Sequence, residues 1–172
     1  MALRQSILLL VVSALVALGA NSISPNGIEL VGKYRSLSRG DGPVVPPTAE
    51  PGDPPFVSVD EAYLEYTQED AVFIDARDET EFNCGTIPTS RNIPFEYLPD
   101  GDLVPYFDSV LDGASKDTTI IIFCSGEECD LSLHLARNMQ SLGYTRTFIF
   151  FGGSREWEQN GLEIERRSAC DE

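Results

Sequence analysis

Residues 119–142 read TIIIFCSGEECDLSLHLARNMQSL, and this stretch decides the fold. Its first part, Ile120 to Phe123, is an uninterrupted apolar run, which is typical of a strand buried on both faces in a parallel sheet. After a polar loop, apolar residues recur at helical spacing: Leu131, Leu135, Met139 and Leu142. The pattern predicts a strand, a loop and a helix, with Cys124 at the carboxyl end of the strand.

The loop after Cys124 is the first candidate for a functional site. It consists of Ser125, Gly126, Glu127, Glu128, Cys129 and Asp130. In open parallel sheets, ligands bind at the carboxyl edge of the strands. Backbone N–H groups in such a loop, together with the amino terminus of the following helix, favour an anion there. The spacing therefore predicts a cysteine that faces a ligand-binding edge.

The composition excludes several classes of partner and site. The chain has 172 residues, with 28 acidic against 12 basic residues and a net charge of −16. Nucleic acid and anionic membrane surfaces would be repelled by this charge. The four cysteines are too few for a disulfide scaffold and lack the C-x-x-C spacing of zinc sites: Cys84, Cys124, Cys129 and Cys170. We expect neither a metal nor a cofactor.

The amino terminus has the pattern of a targeting segment. Arg4 precedes an uncharged stretch with an apolar centre from Ile7 to Ala20, a length typical of the hydrophobic region of a signal peptide. Residues 1–24 are therefore predicted to be either a signal peptide or a single transmembrane anchor, and the domain is expected outside the cytoplasm. Residues 25–55 are predicted to be a proline- and glycine-rich linker. Residues 167–172 form a polar tail.

The rest of the chain alternates between strand and helix patterns. A second apolar run, Ala71 to Ile74, ends at Asp75-Ala76-Arg77, and a third covers Thr147 to Phe151. Ser58 and Glu61 form a capping box at the start of the first predicted helix. Helices are predicted at 59–66, 79–82 and 104–111 in addition to the central one. This alternation indicates an α/β domain with a parallel sheet.

Three groups of residues then resemble the rhodanese-like domain family, from about Phe56 to Glu165, in family order and spacing. They are Ile74-Asp75-Ala76-Arg77 with the following Glu81-Phe82, Gly85, Ile87-Pro88 and Asn92-Ile93-Pro94; Cys124 with its loop and Leu142-Gly143-Tyr144; and Gly152-Gly153 with Trp157 and Gly161-Leu162. The resemblance implies a domain over residues 56–166, with a five-stranded parallel sheet and helices on both faces. It also implies a sulfurtransferase or persulfide carrier with an active cysteine, a sulfane-sulfur donor and a thiol acceptor.

The chain departs from the family pattern at the loop. Thr86 stands where the family usually has histidine, and Glu163 stands where proline is common. The loop is about two residues longer than usual. It contains no arginine or lysine, although many sulfurtransferases of the family carry one. Three carboxylates and a second cysteine take their place.

The cysteines have functional and structural interpretations. Cys124 is the predicted nucleophile, and the alternative is a small buried cysteine at a strand end. Cys129 is either a resolving cysteine or a residue that packs the loop. Cys84 and Cys170 are expected to be incidental, with Cys170 either disulfide-bonded or free. Arg155 is the candidate basic contact to a donor. Asp75 and Arg77, at the same edge of the sheet, are expected to be structural, and His134 is expected on the surface.

The carboxylates leave two functions open. Glu127, Glu128 and Asp130 would raise a nearby thiol pKa and repel small anionic donors, or they would point to solvent and stabilise the helix amino terminus. The first function is a sulfurtransferase with a persulfide on Cys124. The second is a non-catalytic binding module that docks a membrane protein or a sulfur-metabolism partner. A thiol phosphatase is excluded because position 130 is aspartate instead of arginine.

Overall fold

The computed structural model describes residues 5–6, 12–13, 42–126, 129–167 and 170. The chain forms two compact units, Met1–Ser36 and Leu37–Glu172, and the second unit contains the elements described below. Within the residues described, no helix has both the length and the apolar character needed to cross a bilayer. The predicted signal peptide or anchor, residues 1–24, lies outside the described residues except at positions 5, 6, 12 and 13.

A parallel sheet forms the centre of the domain. In the described part of the chain it has four strands: β1 (Ala71–Asp75), β2 (Arg91–Asn92), β3 (Thr119–Phe123) and β4 (Thr147–Phe150). Their order is β2-β1-β3-β4, and every pair is parallel. All five residues of β3 are buried, as its uninterrupted apolar sequence predicts. The α/β class and the parallel sheet are therefore confirmed.

The predicted count of five strands is corrected to four among the described residues. At the place of a fifth strand, Phe56 forms one isolated parallel bridge with Ile149 of β4. Val57 N–H donates to the Ile149 carbonyl at 2.9 Å, and Ile149 N–H donates to the Pro55 carbonyl at 2.9 Å. Pro55 has no N–H to extend this pairing, and Ser58 already caps the next helix. The segment is therefore too short to become a strand.

Five α-helices cover the sheet within the described residues. They are α1 (Val59–Gln68), α2 (Glu79–Cys84), α3 (Val104–Val110), α4 (Leu131–Ser141) and α5 (Gly153–Gln159), with a short 3₁₀ turn at Phe95–Tyr97. The predicted capping box is present at α1: the Ser58 hydroxyl accepts from Glu61 N–H, and the Glu61 carboxylate accepts from Ser58 N–H at 2.8 Å. Such caps contribute about 1 kcal/mol. Pro105 lies in the first turn of α3, where proline is tolerated.

The core has one apolar cluster on each face of the sheet. Residues of β3 alternate between them: Ile120 and Ile122 belong to the first cluster, and Ile121 belongs to the second. Helices α3 and α4 contribute to the first cluster, for example through Met139. Helices α1 and α5 contribute to the second, which includes Trp157. Helices therefore pack on both faces, as predicted, and β3 with its terminal Cys124 lies at the centre.

Part of the predicted linker packs on the domain. The Arg137 guanidinium on α4 makes two hydrogen bonds to the Asp53 carboxylate, at 2.6 and 2.8 Å, and a third to the Thr48 carbonyl at 3.2 Å. Pro46 is buried, and Val44 packs against the first core cluster. The residues from Val44 to Pro55 therefore belong to the folded unit, although their composition is typical of a linker.

The carboxyl-terminal tail is tied to α2. Cys84, the last residue of α2, forms a disulfide with Cys170, with 5.3 Å between their Cα atoms. Arg167 N–H also donates to the Asn83 carbonyl at 2.9 Å. These two cysteines were expected to be incidental, and the structure pairs them instead. The spacing of 86 residues gave no sequence signal for the pairing.

Candidate active site

Cys124 immediately follows β3, at the carboxyl edge of the sheet. The amino-terminal end of α5 holds its backbone in place, because Ser154 N–H donates to the Cys124 carbonyl at 2.9 Å. Arg155 N–H donates to the Ser125 carbonyl at 3.3 Å. The start of the predicted functional loop is thus attached to the turn that follows β4.

This attachment requires glycine at position 153. Gly153 has a φ of +63°, a backbone conformation that disfavours residues with a Cβ. A Cβ there would lie 2.2 Å from the Cys124 carbonyl oxygen and 2.7 Å from the Gly126 nitrogen. A side chain would therefore push the loop away from α5. This close approach explains Gly153, whereas a Cβ at Gly152 would meet the Glu156 side chain instead.

The Cys124 side chain is fully buried, at 0% exposure. Its Sγ donates to the Cys129 carbonyl oxygen at 2.9 Å and lies 3.6 Å from the Ser132 hydroxyl. Both Cys124 and Cys129 are free thiols, and Cys129 is half-buried. The loop thus folds back so that its second cysteine covers the sulfur of the first.

The pKa values of the two thiols are shifted in opposite directions. Burial raises the pKa of the Cys124 thiol well above its ordinary value, and its hydrogen bond to Cys129 acts in the same direction. The pKa of Cys129 is lowered to about 6, chiefly because it accepts a hydrogen bond from the Cys124 thiol. Backbone N–H groups of Leu131 and Ser125 add to this lowering. The directions of the two shifts favour Cys129 as the sulfur that carries the negative charge of the pair.

One proton explains both contacts of Cys124. Its S–H group has a single hydrogen, which can serve the Cys129 carbonyl or the Cys129 sulfur. When Cys129 is a thiol, the carbonyl is the better acceptor. When Cys129 is a thiolate, the sulfur attracts the proton more strongly because the acceptor is charged. The pair can therefore pass a proton between its two sulfurs.

A buried ion pair lies beside the cysteines on the neighbouring strand. The Arg77 guanidinium donates to both carboxylate oxygens of Asp75, at 2.9 and 2.6 Å. Burial disfavours the Arg77 charge, yet the pKa of Arg77 is raised because Asp75 stabilises the guanidinium, and the Cys124 sulfur adds to this. Arg77 therefore places a fixed positive charge within electrostatic reach of Cys124. The loop sequence lacks a basic residue, but the adjacent strand supplies one.

Further polar groups form hydrogen bonds with this ion pair and with the backbone around it. Thr86 Oγ1 donates to Asp75 Oδ2 at 2.8 Å, and Arg77 Nη2 donates to the Gly85 carbonyl at 2.6 Å. The Asn92 amide donates to the Asp75 and Arg77 carbonyls, at 3.1 and 2.8 Å. Thr86, which stands where the family has histidine, thus acts as a hydrogen-bond donor to a buried carboxylate. A buried ion pair needs such partners to offset its loss of hydration.

A groove with a volume of about 350 Å³ opens next to the loop. Its lining includes Ser125, Ser154 and Arg155, together with Arg77 and residues of α2; the remaining lining residues are Gly85, Glu158, Ile164 and Arg166. Arg155 is exposed and lines this groove, and its contact to a donor stays a prediction. A ligand can therefore approach the loop through this groove.

The structure brings together most of the predicted site residues. Cys124, Ser125, Gly126 and Cys129 form one loop, and Arg155 lies beside it. Asp130 is half-buried directly before α4 and makes no side-chain cap. Glu127 and Glu128 lie outside the described residues, so their predicted effect on the thiols remains a prediction. His134 is exposed and stacks on Phe95, with 5.4 Å between ring centroids.

Sequence reasoning missed two contributors. Ser132 contacts the Cys124 sulfur from the first turn of α4. The sequence signal for this contact was the position of Ser132 at the start of the predicted helix. Arg77 was expected to be purely structural, yet its charge acts on Cys124. A signal for Arg77 was present, because the sequence already placed it at the same sheet edge as Cys124, and the register of Asp75 with Phe123 agrees with that placement.

The comparisons with known proteins agree with this geometry. The model of the rhodanese-like domain family matches residues 58–160, more than half of the chain. The protein therefore belongs to the rhodanese-like domain family. None of the curated proteins matches this chain.

Several solved structures share the fold. The human single-domain sulfurtransferase TSTD1 has a TM-score of 0.52 and 25% identity, covering 61% of this chain and 96% of its own. The BH2092 protein of Bacillus halodurans has a TM-score of 0.56 and 22% identity, covering 66% of this chain and 77% of its own. A persulfide-bearing structure of EanB with ergothioneine has a TM-score of 0.56 and 16% identity, covering 64% of this chain and 28% of that one.

The close approach at Gly153 leads to a testable prediction. Gly161 has a similar φ of +75°, but a Cβ there would meet nothing within 4 Å. We expect Gly161→Ala to cost about 1 kcal/mol of unfolding free energy from backbone strain alone. Gly153→Ala should cost about 3 kcal/mol, because the loop must also move. Urea unfolding measures both costs, and the alkylation rate of Cys124 reports the loop. Equal costs with unchanged alkylation would contradict the proposed attachment.

Proposed function

We propose that this domain is a sulfurtransferase that forms a persulfide on Cys124. The observation that carries the proposal is the position of this sulfur, at the carboxyl end of the central strand and in contact with a second, acidic thiol. Family membership and the similarity to the human single-domain sulfurtransferase support the same activity. The substrates are a sulfane-sulfur donor and a thiol acceptor.

Cys129 acts as the base that activates Cys124. A sulfurtransferase needs a thiolate to attack the sulfane sulfur, and Cys124 is held as a thiol in the resting pair. The Cys129 thiolate accepts the Cys124 proton through their existing hydrogen bond. The resulting Cys124 thiolate is stabilised by Gly126 N–H and the Ser132 hydroxyl, and by the Arg77 charge. Deprotonation therefore needs no histidine at the site.

The donor enters through the groove beside Ser125 and Arg155. The exposed Arg155 guanidinium suits an anionic group on the donor, such as a sulfonate, sulfinate or carboxylate. The acidic residues 127 and 128 oppose a small free anion. A donor whose anionic group is separated from its sulfane sulfur by a spacer satisfies both constraints, and so does a donor carried on a protein.

The second candidate function is a binding module without turnover that docks a membrane protein or a sulfur-metabolism partner. The observation that favours it is the complete burial of Cys124, at 0% exposure. A donor reaches this sulfur only if the loop between Cys124 and α4 moves. The acidic Cys129 thiol favours catalysis instead, because a purely structural cysteine needs no lowered pKa.

The domain functions outside the cytoplasm, either anchored to a membrane or exported. The uncharged amino-terminal stretch after Arg4 motivates this proposal. The Cys84–Cys170 disulfide adds an independent argument, since disulfides persist in oxidising compartments and are rare in the cytosol. The active loop keeps its two cysteines as free thiols in the same domain.

The nucleophile can be tested with thiosulfate, whose attack by a thiolate releases sulfite. Over a single turnover, Cys124→Ser should lower sulfite release at least about a hundredfold, because the attacking atom is lost. Ser109→Ala, an exposed serine on α3, is the matched control and should release as much as the wild type. If Cys124→Ser still releases sulfite and Cys129→Ser does not, the nucleophile is wrongly assigned. If wild type releases none even at high salt, where the repulsion by residues 127 and 128 is screened, the binding module is favoured.

The location can be tested with a reporter that is active only in the cytoplasm, fused to the carboxyl end. The full chain should give little reporter activity, since the amino-terminal segment exports the fusion. Deletion of residues 1–24 should raise the activity at least about tenfold, because export is lost. Equal, high activity from both fusions would show that the domain stays in the cytoplasm.

A further inference from the structure

The two cysteines of the loop are placed for chemistry with each other. Cys124 Sγ lies 2.9 Å from the carbonyl oxygen of Cys129, and the Cys129 thiolate accepts the Cys124 proton. Cys124 is fully buried, whereas Cys129 is half-buried. Any thiol acceptor from solution must therefore displace the loop before it reaches a sulfur bound to Cys124. Cys129 already contacts that sulfur.

The groups around Cys124 do not suit a long-lived persulfide anion. Such an anion is stabilised by several N–H donors pointing at the sulfur. Here a carbonyl oxygen lies 2.9 Å from the sulfur, where it stabilises S–H and repels a negative charge, and this opposes the support from Gly126 N–H and the Ser132 hydroxyl. The Arg77 charge acts on this sulfur, but it is shared with the Asp75 carboxylate. A persulfide formed here thus has opposed stabilising contacts and lies next to the Cys129 thiol, which can return a proton to it.

We propose that Cys129 resolves the Cys124 persulfide and releases the transferred sulfur as sulfide. This inference rests on the proposed sulfurtransferase function and gives that site a second step. Intramolecular attack is favoured because the two groups are already in contact, which removes the entropic cost of bringing a separate acceptor to the sulfur. The domain then delivers free sulfide, and the persulfide is a transient intermediate.

The step balances without an external oxidant. Cys129, which took the Cys124 proton in the first step, returns this proton to the terminal sulfur of the persulfide. The resulting Cys129 thiolate attacks Cys124 Sγ, and a bond forms between these two sulfurs. The bond from Cys124 Sγ to the sulfane sulfur breaks, and the sulfane sulfur leaves as HS⁻ with the electron pair and the persulfide proton. The two cysteines are oxidised to a disulfide, and the sulfane sulfur is reduced to sulfide. A dithiol reductant must then reopen the Cys124–Cys129 disulfide, so the partner of this domain is a reduced dithiol protein or small dithiol.

The test separates the two steps by their products. The full-length protein is reduced, freed of reductant and mixed with thiosulfate for a single turnover. Sulfite reports attack by Cys124, and sulfide reports resolution by Cys129. Wild type should release sulfite and about one sulfide per protein, with a Cys124–Cys129 disulfide found by peptide mapping. Cys129→Ser loses the base as well as the resolving thiol, so it should release sulfite more slowly than wild type. When that turnover is followed to completion, the variant should retain one extra sulfur atom on Cys124 by intact mass and release at least about tenfold less sulfide per sulfite formed.

Each other outcome overturns one step. Sulfite release with a persulfide retained on wild-type Cys124 contradicts the resolving role and leaves the sulfurtransferase intact. If sulfide is released but the disulfide forms to Cys84 or Cys170, Cys129 is not the resolving cysteine. Sulfide release by Cys129→Ser at the wild-type level also contradicts the proposal. Absence of sulfite from wild type at high salt, where the repulsion of thiosulfate is screened, contradicts the sulfurtransferase function itself, and with it the inference.

Discussion

The active loop depends on one hydrogen bond, which the buried Cys124 thiol donates to Cys129. This contact makes one sulfur a thiolate near neutral pH and keeps the other protonated. A single buried negative charge is tolerated there because Leu131 and Ser125 donate N–H groups to Cys129. The same contact supplies a base for the first step and a nucleophile for the second. Without Cys129, Cys124 would be a buried thiol with no nearby group to accept its proton efficiently.

The fold is arranged to hold this contact. Strand β3 is buried along its whole length and fixes Cys124 at the sheet edge, and α4 begins just after Cys129. Gly153 lets α5 approach the Cys124 backbone closely enough to bond to its carbonyl. The Asp75–Arg77 pair lies at the same edge, so its charge acts on the sulfur without entering the loop. Chemistry and packing therefore depend on the same few backbone positions.

The sequence predicted those features that follow from local pattern. The apolar runs located β1, β3 and β4, and the capping box located α1, because burial and helix caps have short-range signatures. The number of strands was overestimated, since Pro55 and the cap at Ser58 leave room for one bridge only. The Cys84–Cys170 pairing and the packing of residues 44–55 on α4 depend on distant parts of the chain, so no local pattern predicted them.

For the site, the sequence identified the loop and its cysteines but could not predict their acidities. Spacing places Cys129 five positions after Cys124, yet the direction of each pKa shift depends on burial and on which groups face each sulfur. The charge of Arg77 was overlooked because it arrives from another strand. The roles of Glu127 and Glu128 remain predictions, since these residues lie outside the described part of the chain.

Titration of the thiolate by its ultraviolet absorbance tests the central claim most directly, with the Cys84–Cys170 disulfide intact. The account predicts that one thiolate per chain appears with a midpoint of about 6, and that the second thiol stays protonated well above the ordinary thiol pKa of 9.0. Cys124→Ser should raise the midpoint of Cys129, because the hydrogen bond from Cys124 is the largest cause of its acidity. Two thiols that titrate together near 9.0, or a midpoint of about 6 that survives Cys124→Ser, would contradict the account.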